Sequence, residues 1–524
     1  MARMMRLVAL LMALGLVAAA CGGSDDDTSA EGETEAETET EADAGGSVDD
    51  DAAREALAES TTTSLEGGEE GATTIEDLET QWAAARAAVV QRIKDEGYGV
   101  DDNNILTGPA GFEVDLNQCP SNWTETEGIV DGRIKIGHTT ALSGNLAAYG
   151  NIAAGMETYF DYVNANGGIN GLEIELIVKD DGYVATNTIE LVDELLQSDK
   201  PFMINTLGSP NTLAVYDNLN AQCIPHPFVQ TGHPAWGDPE NHPWTTAAAG
   251  MSYATEAVLW GNWIKTNLAD ELPVRVSGLV MDNDFGLAYR DGFQKWADAN
   301  PDVVSEFVPV PHDPAAATVT NEMTTIAASE PDVFISMTAG NPCLLAVQEA
   351  GNSGLTDGST VLFAPSVCKD PNAYMIPAGE AADGWYIIGG GVKATTDPQY
   401  ADDAYIQFLN ERLDAAGLDA SVGLYGSGFG QHAWPHVEAL RIAAELDGGL
   451  TRSNLLIALR SMEGIHPAFL DGIVFSVNGN EDAYYIEGSD ISIYDAAGES
   501  WIQQGPAVDL NGSSPNCAWG DDGC

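Results

Sequence analysis

The stretch from Arg133 to Asp181, RIKIGHTTALSGNLAAYGNIAAGMETYFDYVNANGGINGLEIELIVKDD, constrains the fold most, because its apolar period changes twice. Ile134 and Ile136 alternate with polar neighbours as in a strand, and a Gly/Ser/Asn loop then breaks the pattern. Ile152, Met156, Tyr159, Phe160 and Val163 recur at helical spacing, and Asn166-Gly167-Gly168 supplies a left-handed stop. Leu172, Ile174, Leu176 and Val178 alternate as the next strand. The spacing predicts a βαβ unit, which needs a parallel sheet with helices on its faces.

The same alternation continues along the chain. A helix over 186–196 carries Ile189, Val192 and Leu196 on one face, strands follow over 202–207 and 224–231, and a helix lies between them over 212–221. Further strands are expected over 274–281, 303–310, 332–337 and 360–364, with helices over 321–328 and 344–351. Helices over 401–416, 431–446 and 453–462 come later. At ~150 residues per domain, 524 residues suit two or three domains. A passage into a second α/β lobe is expected near Gly250, and a return around Trp385 to Val392, where Gly389-Gly390-Gly391 makes a flexible crossover.

Ser209-Pro210 after the 202–207 strand is a helix start. Ser is a favoured N-cap, Pro suits the first helical position, and Pro keeps its predecessor out of the helical region. Free amides of that first turn would point past the strand's carboxyl end, where open α/β sheets bind ligands.

Charge excludes one class of partner. The chain has 81 acids against 20 bases, a formal net charge of -61, which repels phosphate backbones and rules against nucleic acid. The N-terminus reads as an export signal: Arg3 and Arg6 are basic, Leu7 to Leu16 are apolar but too few to span a bilayer, and Ala18-Ala19-Ala20 precede Cys21. Cleavage before a lipidated Cys21 competes with ordinary A-x-A cleavage that leaves the thiol free. Setting Cys21 aside leaves Cys119, Cys223, Cys343, Cys368, Cys517 and Cys524, an even set suited to an oxidising exterior, and this favours the lipid. Fifteen pairings are open; Cys343 with Cys368, Cys517 with Cys524, and Cys119 with Cys223 are the favoured set.

Residues 1–20 are then a signal peptide. Residues 21–74, nearly devoid of large apolar side chains, follow as a lipidated cysteine and acidic disordered tether. Residues 75–127 hold a helix over 75–96, with acids early and Arg92 and Lys94 late, and a connector. That helix either packs as a spacer or docks a partner. No HExxH, paired CxxC, G-x-S-x-G or Walker loop occurs, and the histidines are scattered, so neither catalysis, a cofactor nor a metal site is expected. GSGFG at Gly426 to Gly430 lacks the preceding strand that a dinucleotide loop requires.

The strand ending IKIG, the loop ALSGNLAAYG, the helix ending NANGGI and the strand ending KDD resemble the opening of the solute-binding proteins of branched-chain amino acid ABC importers. The likeness runs over roughly residues 128 to 505. It implies the type I periplasmic-binding-protein fold, α/β, with two doubly wound Rossmann-like lobes joined by a three-stranded hinge. A third crossover is implied near Gly472, where DGIVFSVNGNEDAYYI resembles the family's late hairpin. The lobes are then 128–250 plus 390–472 and 251–389 plus 473–505, with 506–524 as a C-terminal tail.

The resemblance also implies the ligand-binding residues. Tyr149 matches a pocket position, or is a packed loop aromatic. Ser209 matches a binding serine, or is only an N-cap, while Pro210 and Asn211 replace serines of the family's loop. His233 lies in a loop at the family's cleft, where it either meets an anion or is simply solvated. Phe285, in a D-x-x-F-G turn, falls where an aromatic covers the ligand, or packs in the core. The acid that would meet a ligand ammonium group is replaced by Ser366, and the expected tyrosine by Ala339 or Gly340. Asn341 and Ser366 then suggest hydrogen bonds to a neutral or carboxylate group. The implied function is a monomeric, lipid-anchored extracytoplasmic protein that captures a small polar or amphipathic molecule and delivers it to an ABC permease. A ligand-sensing receptor of the same fold, coupled to a membrane signalling partner, is the alternative.

Overall fold

The computed structural model describes residues 47–62 and 74–518. Cys21, Cys524 and most of the acidic segment lie outside the described residues. Within the stretch read as a tether, Asp50–Thr62 forms helix α1. Val48, Ala53 and Leu57 are buried in the apolar cluster that includes Ala257, Val258 and Trp260, and Asp50 accepts hydrogen bonds from Trp296 Nε1 and Asn262 Nδ2. So few apolar positions gave no usable period in the sequence; an apolar surface elsewhere in the chain orders them.

Helix α2 (Ile75–Glu96) starts on Thr74, whose side chain accepts from the Asp77 N–H, and ends on Gly97 at φ 71°. It is a packing helix. Trp82, Val89, Val90 and Ile93 are buried, Trp82 meets Trp434 edge-on at 5.7 Å, and Arg86 pairs with buried Glu438 at 2.6 Å. The connector contains a small antiparallel sheet of β1 (Gly99–Val100), β2 (Ile105–Thr107) and β3 (Glu113–Asp115).

The first lobe's sheet is built on β5 (Arg133–Thr140), preceded by the short β4 (Ile129–Val130) in a hairpin. Helix α3 (Gly150–Ala165) buries all five residues picked out by their spacing. β6 (Glu173–Asp180) pairs parallel with one side of β5 and β7 (Met203–Thr206) with the other. Helix α4 (Ala185–Glu194) buries Thr188 and Val192, whereas Ile189 is 42 % exposed. Thr188, Val192 and Leu195 share the inward face at ordinary helical spacing, which leaves Ile189 outside it, and the chain then widens into a π turn at Leu195–Asp199. Helix α5 (Ser209–Ala221) follows β7. The strand expected over 224–231 is reduced to isolated bridges, Leu207 with Gln230 and His226 with Thr245.

Helix α6 (Tyr253–Asn267) opens the second lobe. Then come β8 (Val274–Met281), α7 (Asp284–Ala299), β9 (Val304–His312), α8 (Thr320–Ala328), β10 (Val333–Met337), α9 (Asn341–Ser353), β11 (Val361–Ala364) and β12 (Tyr386–Ile388). β9, β8, β10, β11 and β12 run parallel in that order. The edge beyond β12 is closed by antiparallel strands described below. β8 and β10 are buried almost throughout, as a sheet covered on both faces requires.

Back in the first cluster lie α10 (Ala404–Ala415), α11 (Gly423–Ser427), α12 (Trp434–Glu445) and α13 (Arg452–Leu459). The GSGFG stretch is where α3 and the 423–433 segment touch backbone to backbone. A Cβ on Gly155 would sit 2.1 Å from the Tyr425 carbonyl oxygen, and one on Gly428 2.0 Å from that of Ile152. These glycines serve close helix approach rather than phosphate binding. β13 (Glu463–Gly464) and β14 (Phe475–Ser476) form a hairpin, and Phe475 to Ile486 still pack in the first lobe's cluster. The third passage therefore falls after Ile486, later than near Gly472. β15 (Ile491–Asp495) then pairs antiparallel with β12, and β16 (Ser500–Gln503) with β15.

Cys119 is bonded to Cys223 and Cys343 to Cys368. Cys517 is also disulfide-bonded, and the expected partner Cys524 lies outside the described residues. Among the described residues no helix is long and apolar enough to cross a membrane, and no group of three or more His, Cys, Asp or Glu is placed to hold a metal ion.

Candidate functional site

Parallel strands leave their carboxyl-end loops free, and in this chain the loops of both sheets converge. After β7 come Leu207 and Gly208, after β10 Ala339, and after β11 Ser366 and Val367; all line one cavity of about 200 Å³. The passages between the lobes contribute Gly250, Met251, Gly389, Gly390 and Val392. The loop before α3 reaches across to the second lobe, where the Gly340 N–H donates to the Tyr149 hydroxyl at 3.1 Å. Gly340 (φ 65°, ψ -142°) has no room for a side chain, since a Cβ would lie 2.3 Å from Leu146 Cδ2.

Of the residues singled out in the sequence, Tyr149, Phe285 and Ser366 line the cavity; Ser209, Pro210, Asn211, His233 and Asn341 do not. Asn211 is buried and donates to Asp181 Oδ2 at 3.1 Å and Thr188 Oγ1 at 2.7 Å. Asp181 also accepts from Thr188 Oγ1 and from the Tyr183 N–H. That network fixes the turn carrying Tyr183, at φ 62°, over the start of α5. A Cβ on Gly208 would lie 2.5 Å from the Tyr183 ring, and the Ser209 N–H faces the Tyr183 hydroxyl, opposing the upward pKa shift that burial imposes. Ser209 Oγ bonds Thr231 Oγ1 at 2.7 Å. The Tyr183 ring thus covers the helix start that the sequence assigns to a ligand.

His233 caps the turn at Pro234–Gly237, its Nδ1 accepting from the Ala235 N–H at 3.2 Å. Burial lowers its pKa to about 3, so it is neutral at pH 7. Asn341 is exposed at the first position of α9. Phe285 meets Tyr253 edge-on at 5.0 Å in the turn capped by Asn283, so core and cavity wall are the same face here. Ser366 is held by its N–H and hydroxyl on Glu256 at 2.7 and 2.8 Å. Burial pushes Glu256 up to about 7 against the hydrogen bonds from Tyr289 and Ser366.

Sequence reasoning missed most of the wall: Tyr183, Gln230, Tyr253, Asp370, Tyr374, Gln431 and His432. Their positions give no periodic signal, because they sit in turns and helix ends brought together only by the lobes. Two cavity-lining groups have no hydrogen-bond partner in the protein, Gln230 Oε1 and His432 Nδ1. Burial holds His432 at a pKa of about 3, neutral, with the nearby His436 and His138 adding to the depression.

A family model described as periplasmic binding protein matches residues 133–482. Solved structures share the fold. A fatty acid ABC transporter substrate-binding protein from Thermomonospora curvata is 19% identical with a TM-score of 0.60, covering 74% of this chain and 95% of its own. A branched chain amino acid ABC transporter protein from Thermus thermophilus with bound valine is 17% identical at 0.61, covering 72% and 96%. A solute-binding protein from Rhodopseudomonas palustris BisB5 in complex with 3,4-dihydroxybenzoic acid is 18% identical at 0.58, covering 74% and 99%. No curated protein matches the chain.

Proposed function

The chain belongs to the periplasmic binding protein family, and on that premise we propose that it captures a small polar or amphipathic molecule between its lobes and passes it to an ABC permease. The cavity carries this reading. It is walled by the carboxyl-end loops of both sheets, and the polar residues Gln230, Asp370 and His432 lie in its lining. Neighbours of this fold bind valine and 3,4-dihydroxybenzoic acid, which supports a ligand of that size. Tyr149, Phe285 and Ser366 contact the ligand in this reading. Ser209, Pro210, Asn211, His233 and Asn341 support the loops around it. Three passages at 249–251, 388–392 and 487–490 act as the hinge, and opening separates Tyr149 from Gly340. Lipid on Cys21 anchors the chain as a monomer to the outer face of the cell membrane.

The test is a thermal-shift panel on the full chain, covering amino acids, amides, and aromatic acids and amines. A ligand at 100 times its dissociation constant adds ~2.7 kcal/mol to the native state. Ala339→Trp, which fills the cavity, should abolish the shift. Stabilisation that survives Ala339→Trp, or a panel without a stabilising compound, would overturn the reading.

A further inference from the structure

We propose that the ligand of this cleft carries a cationic amine or quaternary ammonium group and no carboxylate, with Asp370 as its counter-ion. The proposal rests on the capture reading above and adds the charge of the guest.

Every positive group at the cavity wall is already satisfied. Lys369 Nζ donates to both Asp490 oxygens at 2.8 Å and to the Val392 carbonyl at 2.7 Å. Lys393 Nζ donates to Asp403 Oδ2 at 2.8 Å and to the Pro467 carbonyl. His432 is neutral, and no arginine lines the cavity. Helix starts are the usual resting place of a carboxylate, and the two that follow β7 and β10 have tyrosines against them. Tyr183 covers the start of α5, and Tyr149 takes the Gly340 N–H ahead of α9.

Asp370, by contrast, has hydrogen bonds as the N-cap of 371–375 but no counter-charge among the described residues. Asp370 lines the cavity and takes hydrogen bonds from the Asn372 and Ala373 N–H groups and from Thr396 Oγ1. Among the described residues no cation pairs with it. Burial raises its pKa, as expected of a carboxylate without a counter-charge. Gln230 offers a second acceptor, and its orientation is fixed by a chain of bonds. Asn205 Nδ2 donates to the Pro227 and Phe228 carbonyls, so its Oδ1 faces Gln230 Nε2 at 2.8 Å. Gln230 Oε1 is left without a donor in the protein.

The walls suit a cation as well. Tyr149, Tyr183, Tyr253 and Tyr374 line the same cavity as Asp370. Aromatic rings lining a cavity together with a carboxylate are the chemistry that holds ammonium groups. The formal charge of -61 draws cations toward the cleft and repels anions.

The test is isothermal titration of the full chain with matched probes on phenyl, indolyl and linear alkyl bodies, each as primary amine, trimethylammonium, neutral amide and carboxylate. The amine or trimethylammonium form should bind at least about tenfold tighter than the carboxylate of the same body. Asp370→Asn should erase that margin. Where that variant does not fold, the wild-type comparison decides alone. A carboxylate that binds as well as its amine overturns the charge assignment and leaves capture standing. An amine preference that survives Asp370→Asn overturns the role of Asp370. Silence from every body in every charge form overturns capture together with the charge assignment.

Discussion

Replacing Lys369 by Met tests whether the ion pair at the second passage holds the lobes in register. Lys369 and Asp490 are 7% and 2% exposed, and Nζ lies 2.8 Å from both carboxylate oxygens. Asp490 also accepts from Ser492 Oγ at 2.7 Å. Methionine keeps most of the stem's volume, so little of the cost is a cavity. What remains is a buried carboxylate without its cation, which costs roughly 3–5 kcal/mol. That is a large share of the ~5–15 kcal/mol that stabilises a typical domain. Urea unfolding followed by tryptophan fluorescence and by circular dichroism measures it, provided the two transitions coincide. Lys369→Met with Asp490→Asn should recover most of the loss, because no charge is then stranded. A single-variant loss below about 1 kcal/mol, or a double variant no more stable than the single, would show that water reaches Asp490. The pair would then be no part of the buried hinge.

Acidification should destabilise the chain below pH 6.5. Burial lowers His226, His233 and His432 to about 3 and His138 and His436 to about 4, while unfolded imidazoles titrate at 6.5. The unfolded state thus binds more protons in that window, and stability is lost as pH falls from 6.5 toward 4. Glu256 and Glu487, raised to about 7 from 4.5, and Asp482, raised to about 6 from 3.8, act in the opposite sense. Their native forms hold protons that the unfolded chain releases, so they blunt the loss without reversing it. Urea midpoints that rise between pH 6.5 and 5 would refute this balance. Reducing the Cys119–Cys223 bridge, or changing both residues to Ser, should cost ~2–5 kcal/mol. The bridge closes a sequence separation of 104, and long loops gain most from closure; an unchanged midpoint in the double variant would show that the connector docks without it.

The sequence by itself determined the layers. Periods of two and 3.6 located β5, α3 and β6 and named the α3 face, because those signals come from local geometry that any parallel sheet imposes. It also marked Tyr149, Phe285 and Ser366 through a resemblance in their loops. Only the tertiary structure decided what faces the cleft. Ser209 and Asn211 look like ligand contacts in one dimension, yet Tyr183, on a separate turn, reaches the same helix start first. Asp370, Gln230 and the four tyrosines come from segments far apart in the chain. Their meeting depends on how two sheets are set against each other, and hydrophobic periodicity within either sheet carries no record of that.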